Sequence, residues 1–280
     1  MQPHVKLWDP DEQKQIIEDM HLLIPWEKID AYIARGDMSD YTDLSLDSPY
    51  RKLRTSWMIE EHVPGDGEDI ACIGLWGDGA PYHTRGSLNV LIFNVLSGRH
   101  NKRYFICGWS KRMTCQCGCG GRCTFDSVYK VCSWFMAAWK CGVYPAFRDD
   151  NVAFEDSNRV GDRQRAEWAK ECRRMSSRGC CIQKRADWQF YKQALSLVGW
   201  QPEGPLKRCC PCCFANWTTF PFTDPSMSAL WRKHRLTHRV FLQMMLLDNK
   251  VVSPLFDFCR LEHITVDLMH CGDLGVLLYT

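Results

Sequence analysis

Several features are scarce in this chain, and each scarcity narrows the reading. The start, MQPHVKLWDPDEQKQ, has no apolar stretch behind a basic segment, so a secreted protein is not expected. No run of about 18 apolar residues occurs, which excludes a transmembrane helix and argues against a membrane partner. Charge of one sign is also lacking: 35 Lys and Arg face 33 Asp and Glu, for a net +2. A uniformly basic, histone-like protein is thereby excluded, and any nucleic-acid contact must come from local patches. Residues 1–57 contain no Cys, which excludes a zinc finger ahead of the core.

Cysteine and tryptophan are abundant instead, at 17 and 12 residues. In a chain that is not secreted, thiols stay reduced, and clustered Cys read as metal ligands rather than as a disulfide framework. The odd count points the same way. At 280 residues, 45% of them hydrophobic, the chain can bury a sizeable core, as one large domain with an insertion or as two small ones.

Residues 1–57 read as an N-terminal helical segment, separate from the rest of the chain. Asp9-Pro10 supplies a cap and first turn, Ile16, Ile17, Met20 and Leu23 share a helical face, and a second helix runs from Trp26 to Ala34. An acidic linker spans Asp37 to Ser48. Residues 58–280 read as the core. Apolar runs at Asp69 to Gly77, Leu88 to Leu96 and Arg103 to Trp109 predict an antiparallel meander. Thr124 to Val143 predicts a helix whose stripe of Val128, Val131, Cys132, Phe135 and Trp139 packs on those strands. A fourth strand, Cys180 to Lys184, leads into Asp187 and a helix to Val198. Ser226 to Leu247 predicts a further helix. A fifth strand ends near Asp267, before a helix beginning about Gly272. That last pattern breaks off at Thr280, so a partial copy of a longer protein is expected.

Five features carry candidate chemistry. Asp78 closes an apolar strand before a Gly/Pro turn, as a functional carboxylate or as a turn aspartate. Asp187 stands at a strand-to-helix junction, as a second carboxylate or as a helix N-cap. Cys115, Cys117, Cys119 and Cys123 put four thiols in a loop of nine residues, 115–123. They suit one zinc ion, although C-x-C spacing is tighter than the usual C-x2-C and a metal-free Gly/Cys loop is the alternative. In an insertion at 200–240, Cys210 and Cys213 precede His234 and His238, two imidazoles one helical turn apart, the ingredients of a closed and therefore structural Cys2His2 zinc site. Cys209 and Cys212 offer another register. Finally, Asn158 to Ala186 holds nine Lys and Arg against three acids. Arg173, Arg174, Arg178, Lys184 and Arg185 are its candidates for nucleic-acid contact, with a solvated charged surface as the alternative.

The order of elements is that of an α/β (α+β) RNase H-like fold, a mixed sheet with flanking helices. Its acids are those that two-metal phosphoryl transfer requires: Asp78, Asp187, and Asp267 or Asp273 near the last strand. Several pieces together resemble the DDE transposases of the CACTA type. These are Gly77-Asp78-Gly79 after an apolar strand, Asp187 followed by a helix and Gly199-Trp200, the Cys210-Pro211-Cys212-Cys213 turn, the later histidines, and Asp267-Leu268-Met269-His270. The resemblance covers residues 70–275. It implies a Mg2+- or Mn2+-dependent nuclease and strand transferase acting on transposon DNA ends in the nucleus or elsewhere inside the cell, with Asp78 and Asp187 as the first two metal ligands and homo-oligomerisation as a further expectation. Relatives carry an acid two positions after the His of the last motif, where this chain has Gly272, with Asp273 one further on. The third acid is therefore displaced, absent, or beyond Thr280, and an inactive copy is the alternative state.

A second reading is a non-catalytic module in which zinc organises a DNA- or protein-binding surface. A thiol hydrolase is disfavoured, because the Cys are clustered and none is matched to a His.

Overall fold

The computed structural model describes residues 1–36, 39–44, 48–83, 86–96, 102–197, 207–224 and 226–266. The chain opens not with a helix but with an antiparallel hairpin, β1 (His4–Asp9) and β2 (Lys14–Asp19). Asp9 does act as a cap, but its Oδ1 accepts from the Asp11 and Glu12 amides of the hairpin turn, where Gln13 takes a φ of 51°. The alternation Val5, Leu7 points one side of β1 into the core, whereas Ile17, assigned from the sequence to a helical face, is exposed. Helix α1 (Pro25–Ile33) starts at a proline suited to a first turn and buries Trp26 and Ile29. A short α2 (Ser39–Thr42) and α3 (Pro49–Glu60) come next, the latter capped by the Ser48 hydroxyl.

Seven strands and eight α-helices are assigned among the described residues. The main sheet consists of β3 (Ile70–His83), β4 (Gly86–Val95), β5 (Arg103–Ser110), β6 (Arg178–Ala186) and β7 (Ile264–Val266), in the order β5-β4-β3-β6-β7. Pairings β3/β4 and β4/β5 are antiparallel, while β6 joins β3 and β7 joins β6 in parallel. The predicted meander and both later strands are therefore present in a mixed sheet. A parallel partner for β3 demands a long crossover. That crossover contains α4 (Arg122–Cys141), which ends at Gly142 in the left-handed region, and α5 (Asp162–Lys170). After β6 come α6 (Trp188–Leu195), α7 (Leu230–Lys233) and α8 (His238–Leu247).

One face of the sheet packs under α4, whose Phe125, Val128, Val131, Cys132, Phe135 and Trp139 are buried together with Ile73, Leu75, Leu91 and Phe93. Val5, Leu7, Leu22, Trp26 and Ile29 belong to that same core. The N-terminal segment is thus packed as part of this core rather than set apart from it. A smaller cluster on the second face joins Trp57 and Met58 of α3 to Ile70, Cys72, Cys180 and Ile182. A buried ionic group fastens α5 to α1: Asp162 takes Arg148 at 2.8 Å and Arg165 at 2.8 Å, and Arg165 reaches Glu27 at 2.7 Å. Burial opposes the Asp162 charge, but the Ser157 hydroxyl and the two guanidinium groups outweigh it and hold the carboxyl below its usual range.

Two measurements test this packing. A Cβ at Gly179 on β6 would collide with the buried Trp139 ring of α4. Gly179→Ala is expected to destabilise by about 1–3 kcal/mol in denaturant melts, as overpacked cores do. The second concerns His263, buried just before β7, where its Nδ1 accepts from the Arg260 amide. Burial pushes this imidazole down to about 4. A folded value below the unfolded one of about 6.5 means stability that is complete above pH 6.5 and lost as pH falls towards 4. Between pH 7 and pH 5 the natural chain should lose about 2 kcal/mol more than His263→Leu does.

Candidate functional site

The parallel register of β3 and β6 organises the site. Trp76 pairs with Arg185 and Gly77 with Ala186, and the next residue on each segment is an aspartate, Asp78 and Asp187. Neighbouring strands run about 4.8 Å apart, so the register brings these two backbone positions to about one strand spacing. Asp78 does not end its strand as the sequence suggests: β3 continues to His83, with Asp78 opposite Val90 of β4. What ends there is the flank covered by β6. Asp78 is exposed, and its Oδ1 accepts from the Gly79 amide at 2.7 Å. Asp187 is half-buried and caps α6, its Oδ1 accepting from the Phe190 amide. The cap bond uses one carboxylate oxygen, and Oδ2 lies outside it.

Gly77 explains how α6 comes so close. A side chain there would collide with the Phe190 ring and would come within 2.8 Å of Lys184 Nζ. Lys184 is fully buried on the Gly77 side of the sheet, donates to the Arg185 carbonyl at 3.2 Å and faces the Phe190 ring at 4.9 Å. Burial pushes its ammonium down to about 8, against the pull of Cys259, Cys181, Cys132 and Asp187. Lys111, just after β5, lies with its ammonium against Gly79, at the same end of the sheet. Nothing in the local sequence singles out Lys111, since its position depends on the β3–β4–β5 register. Asp267 and Asp273 lie outside the described residues, while Val266, the last described residue, pairs with Ala186.

The loop after β5 gathers four thiols. The Sγ atoms of Cys115, Cys117, Cys119 and Cys123 all lie within 4.8 Å of one another, and those of Cys117 and Cys123 are 3.8 Å apart. A tetrahedral ion with bonds of about 2.3 Å to sulfur needs Sγ–Sγ edges of about 3.8 Å. The cluster can thus hold a metal ion such as zinc. Tight C-x-C spacing is accommodated because Gly118, Gly120 and Gly121 take φ values of 93°, 63° and 95°, which let the chain curl between thiols. Burial opposes a Cys119 thiolate, but the Cys123 amide and the neighbouring thiols bring it down to about 7. Burial and Cys119 push Cys123 up to about 12. One proton is therefore readily shed at the start of α4, whose N-cap, Gly121, offers no side chain to its free amides. Thr114 anchors the loop, accepting from Asn89 of β4 at 3.0 Å and Trp109 of β5 at 3.1 Å, while Thr124 of α4 accepts from the Cys115 amide.

The second metal set is arranged differently. Backbone pairing does join its halves, with Cys213 bridging Arg235 and the Leu236 amide donating to Cys212. Yet Cys210, Cys213, His234 and His238 do not converge: among the described residues, the Cys115–Cys123 cluster is the one group of three or more such ligand atoms. The predicted helix from Ser226 to Leu247 is broken, His234 closing α7 and His238 opening α8, so the imidazoles are not one helical turn apart. His234 is exposed beside Phe220, while His238 is buried and its Nδ1 accepts from the Leu261 amide.

Nor do the five basic candidates form one patch. Arg173 lies over Trp168, Arg174 pairs with Val143, and Arg178 is tied to Asp69 at 2.6 Å. Lys184 is inside, and Arg185 is at the Asp78 end of β6, roughly 23 Å along the strand from Arg178. Other cations of the segment are spent on Asp19, Glu167, Glu27 and Glu155.

No helix among the described residues is long and apolar enough to cross a membrane. Compared with known proteins, the chain matches no family model, no curated protein and no solved structure at significance.

The thiol cluster yields a direct prediction. Purified under reducing conditions, the chain should carry one zinc at residues 115–123 by native mass spectrometry. Cys117→Ser should weaken that binding by about 100-fold or more, since even outer-shell partners are worth 10- to 100-fold. A protein without zinc, or with unchanged affinity in the variant, would remove the site.

Proposed function

We propose that this chain is a transposase-like protein of RNase H-like fold that cleaves and joins DNA with Mg2+ or Mn2+ held by Asp78 and Asp187, and with zinc on Cys115, Cys117, Cys119 and Cys123 as a structural element. The observation that carries the reading is the parallel register in which Gly77 opposes Ala186 and an aspartate comes after each. The sheet order, three antiparallel strands followed by two parallel ones, supports it, as does the crossover helix between β5 and β6. Divalent ions bound there would activate the attacking oxygen and stabilise the leaving one. In this reading, Asp78 presents an exposed carboxylate, and Asp187 keeps its orientation through the α6 cap while offering its second oxygen. Gly77 admits the helix, and the buried Lys184 ammonium offsets part of the negative charge of Asp187. Asp267 or Asp273 supplies the third acid. The DNA partner would be transposon ends, the setting the nucleus, and the working form an oligomer.

The alternative, a non-catalytic zinc-stabilised binding module, draws on the four-thiol cluster alone. A nicking assay on supercoiled plasmid separates the two. Mg2+-dependent nicking is expected, with Asp78→Asn and Asp187→Asn each slowing it on the order of 10³-fold, about 4 kcal/mol of transition-state stabilisation. Equal activity in both variants and the natural chain would leave the binding module as the better account.

A further inference from the structure

The sheet carries a second feature beside Asp78, on the side away from α4. Phe105, Ile92, Trp76 and Arg185 form one row across β5, β4, β3 and β6. The Arg185 guanidinium lies 4.7 Å from the centre of the Trp76 ring, and that of Arg103 lies 4.3 Å from it. The indole is held in place by its own Nε1, which donates to Asn94 Oδ1 at 2.7 Å. Helix α3 packs on this face over Ile70, Cys72, Cys180 and Ile182 and reaches Arg185 through Tyr50, and Phe105 is left 49% exposed.

Two guanidinium groups on one indole are an unusual concentration of charge unless something neutralises it. Among the described residues no carboxylate forms an ion pair with either arginine. Arg185 Nε is buried without a hydrogen-bond partner, and its Nη2 reaches only the Tyr50 hydroxyl, at 3.4 Å. Stacking fixes the guanidinium planes while leaving N–H edges to donate, and such a fork matches the paired oxygens of a phosphate. Asp78 stands two residues beyond Trp76 on the same strand and therefore on the same face.

We propose that Arg103 and Arg185, stacked on Trp76, grip the phosphodiester backbone of a nucleic acid on the open face of the sheet and lead it to Asp78. This rests on the reading of Asp78 as a phosphodiester-cleaving site, and it names the surface that would hold the substrate. The exposed Phe105 ring in the same row offers a face on which a base can stack. The ligand class is set by two cations that have no carboxylate partner among the described residues, their convergence on one indole, and the neighbouring acid site.

The test measures binding without cleavage. Fluorescein-labelled 20-mer DNA, single-stranded and duplex, is titrated with the full-length, zinc-loaded chain in buffer free of Mg2+ and Mn2+, between 50 and 200 mM KCl. Arg103→Gln and Arg185→Gln should each weaken binding about tenfold at 100 mM salt. Each should also lower the slope of log K against log salt by about 0.7 to 0.9, one phosphate contact. Arg103→Lys, which keeps charge and loses the planar fork, should fall between. Arg163→Gln, which removes a cation on exposed α5, should change neither quantity. Thermal melts establish that each variant is folded. Unchanged affinity and slope in both glutamine variants would overturn the proposal, as would an equal loss in Arg163→Gln. So would self-association that Arg103→Gln abolishes, because the face would then belong to a second copy. Normal binding through these arginines with no nicking at Asp78 would instead sink the catalytic reading and leave this surface standing.

Discussion

The parallel pairing of β3 with β6 is the constraint on which the rest of the structure depends. A parallel neighbour cannot be reached by a tight turn, so the chain must cross over the sheet, and α4 with its aromatic stripe fills that crossover. The same pairing determines which residues meet. It sets Gly77 beside Ala186, with an aspartate next on each segment, and brings α6 onto β3 where only a glycine leaves room. It also submerges Lys184, a cation whose burial is costly on its own.

Three features of different chemistry share one end of the sheet. Asp78 and Asp187 follow the last β3–β6 pair, and Lys111 reaches Gly79 from the end of β5. The thiol loop continues from there, tied through Thr114 to β4 and β5 and through Thr124 to α4. A metal on those thiols would stiffen the turn that carries Lys111, as zinc does when it closes short loops that lack a core of their own.

How much of this was legible in the sequence depends on the range of the forces involved. The five strands and the crossover helix were readable because apolar runs and the stripe from Val128 to Trp139 are local patterns. The four thiols from Cys115 to Cys123 were readable because nine residues bring them together whatever the remainder does. The hairpin at His4–Asp19 was missed because Ile16, Ile17 and Met20 fit a helical period as well as a strand, and what decided it was tertiary: Val5 and Leu7 find the core on alternate positions. His234 and His238 carry zinc-like spacing, but the chain turns between them, and His238 is taken up by the Leu261 amide from a segment far along the chain. The five basic residues were adjacent in sequence and dispersed in space, whereas Arg103 and Arg185, distant in sequence, meet on Trp76 because strand register puts them there.

The central claim is that the β3–β6 register builds a shared divalent-metal site from Asp78 and Asp187. Crystals soaked in Mn2+ and measured at the manganese absorption edge test it most directly. The account predicts an anomalous peak within about 2.0–2.6 Å of a carboxylate oxygen from each aspartate. Carboxylates more than about 12 Å apart, or manganese bound only elsewhere on the chain, would contradict it.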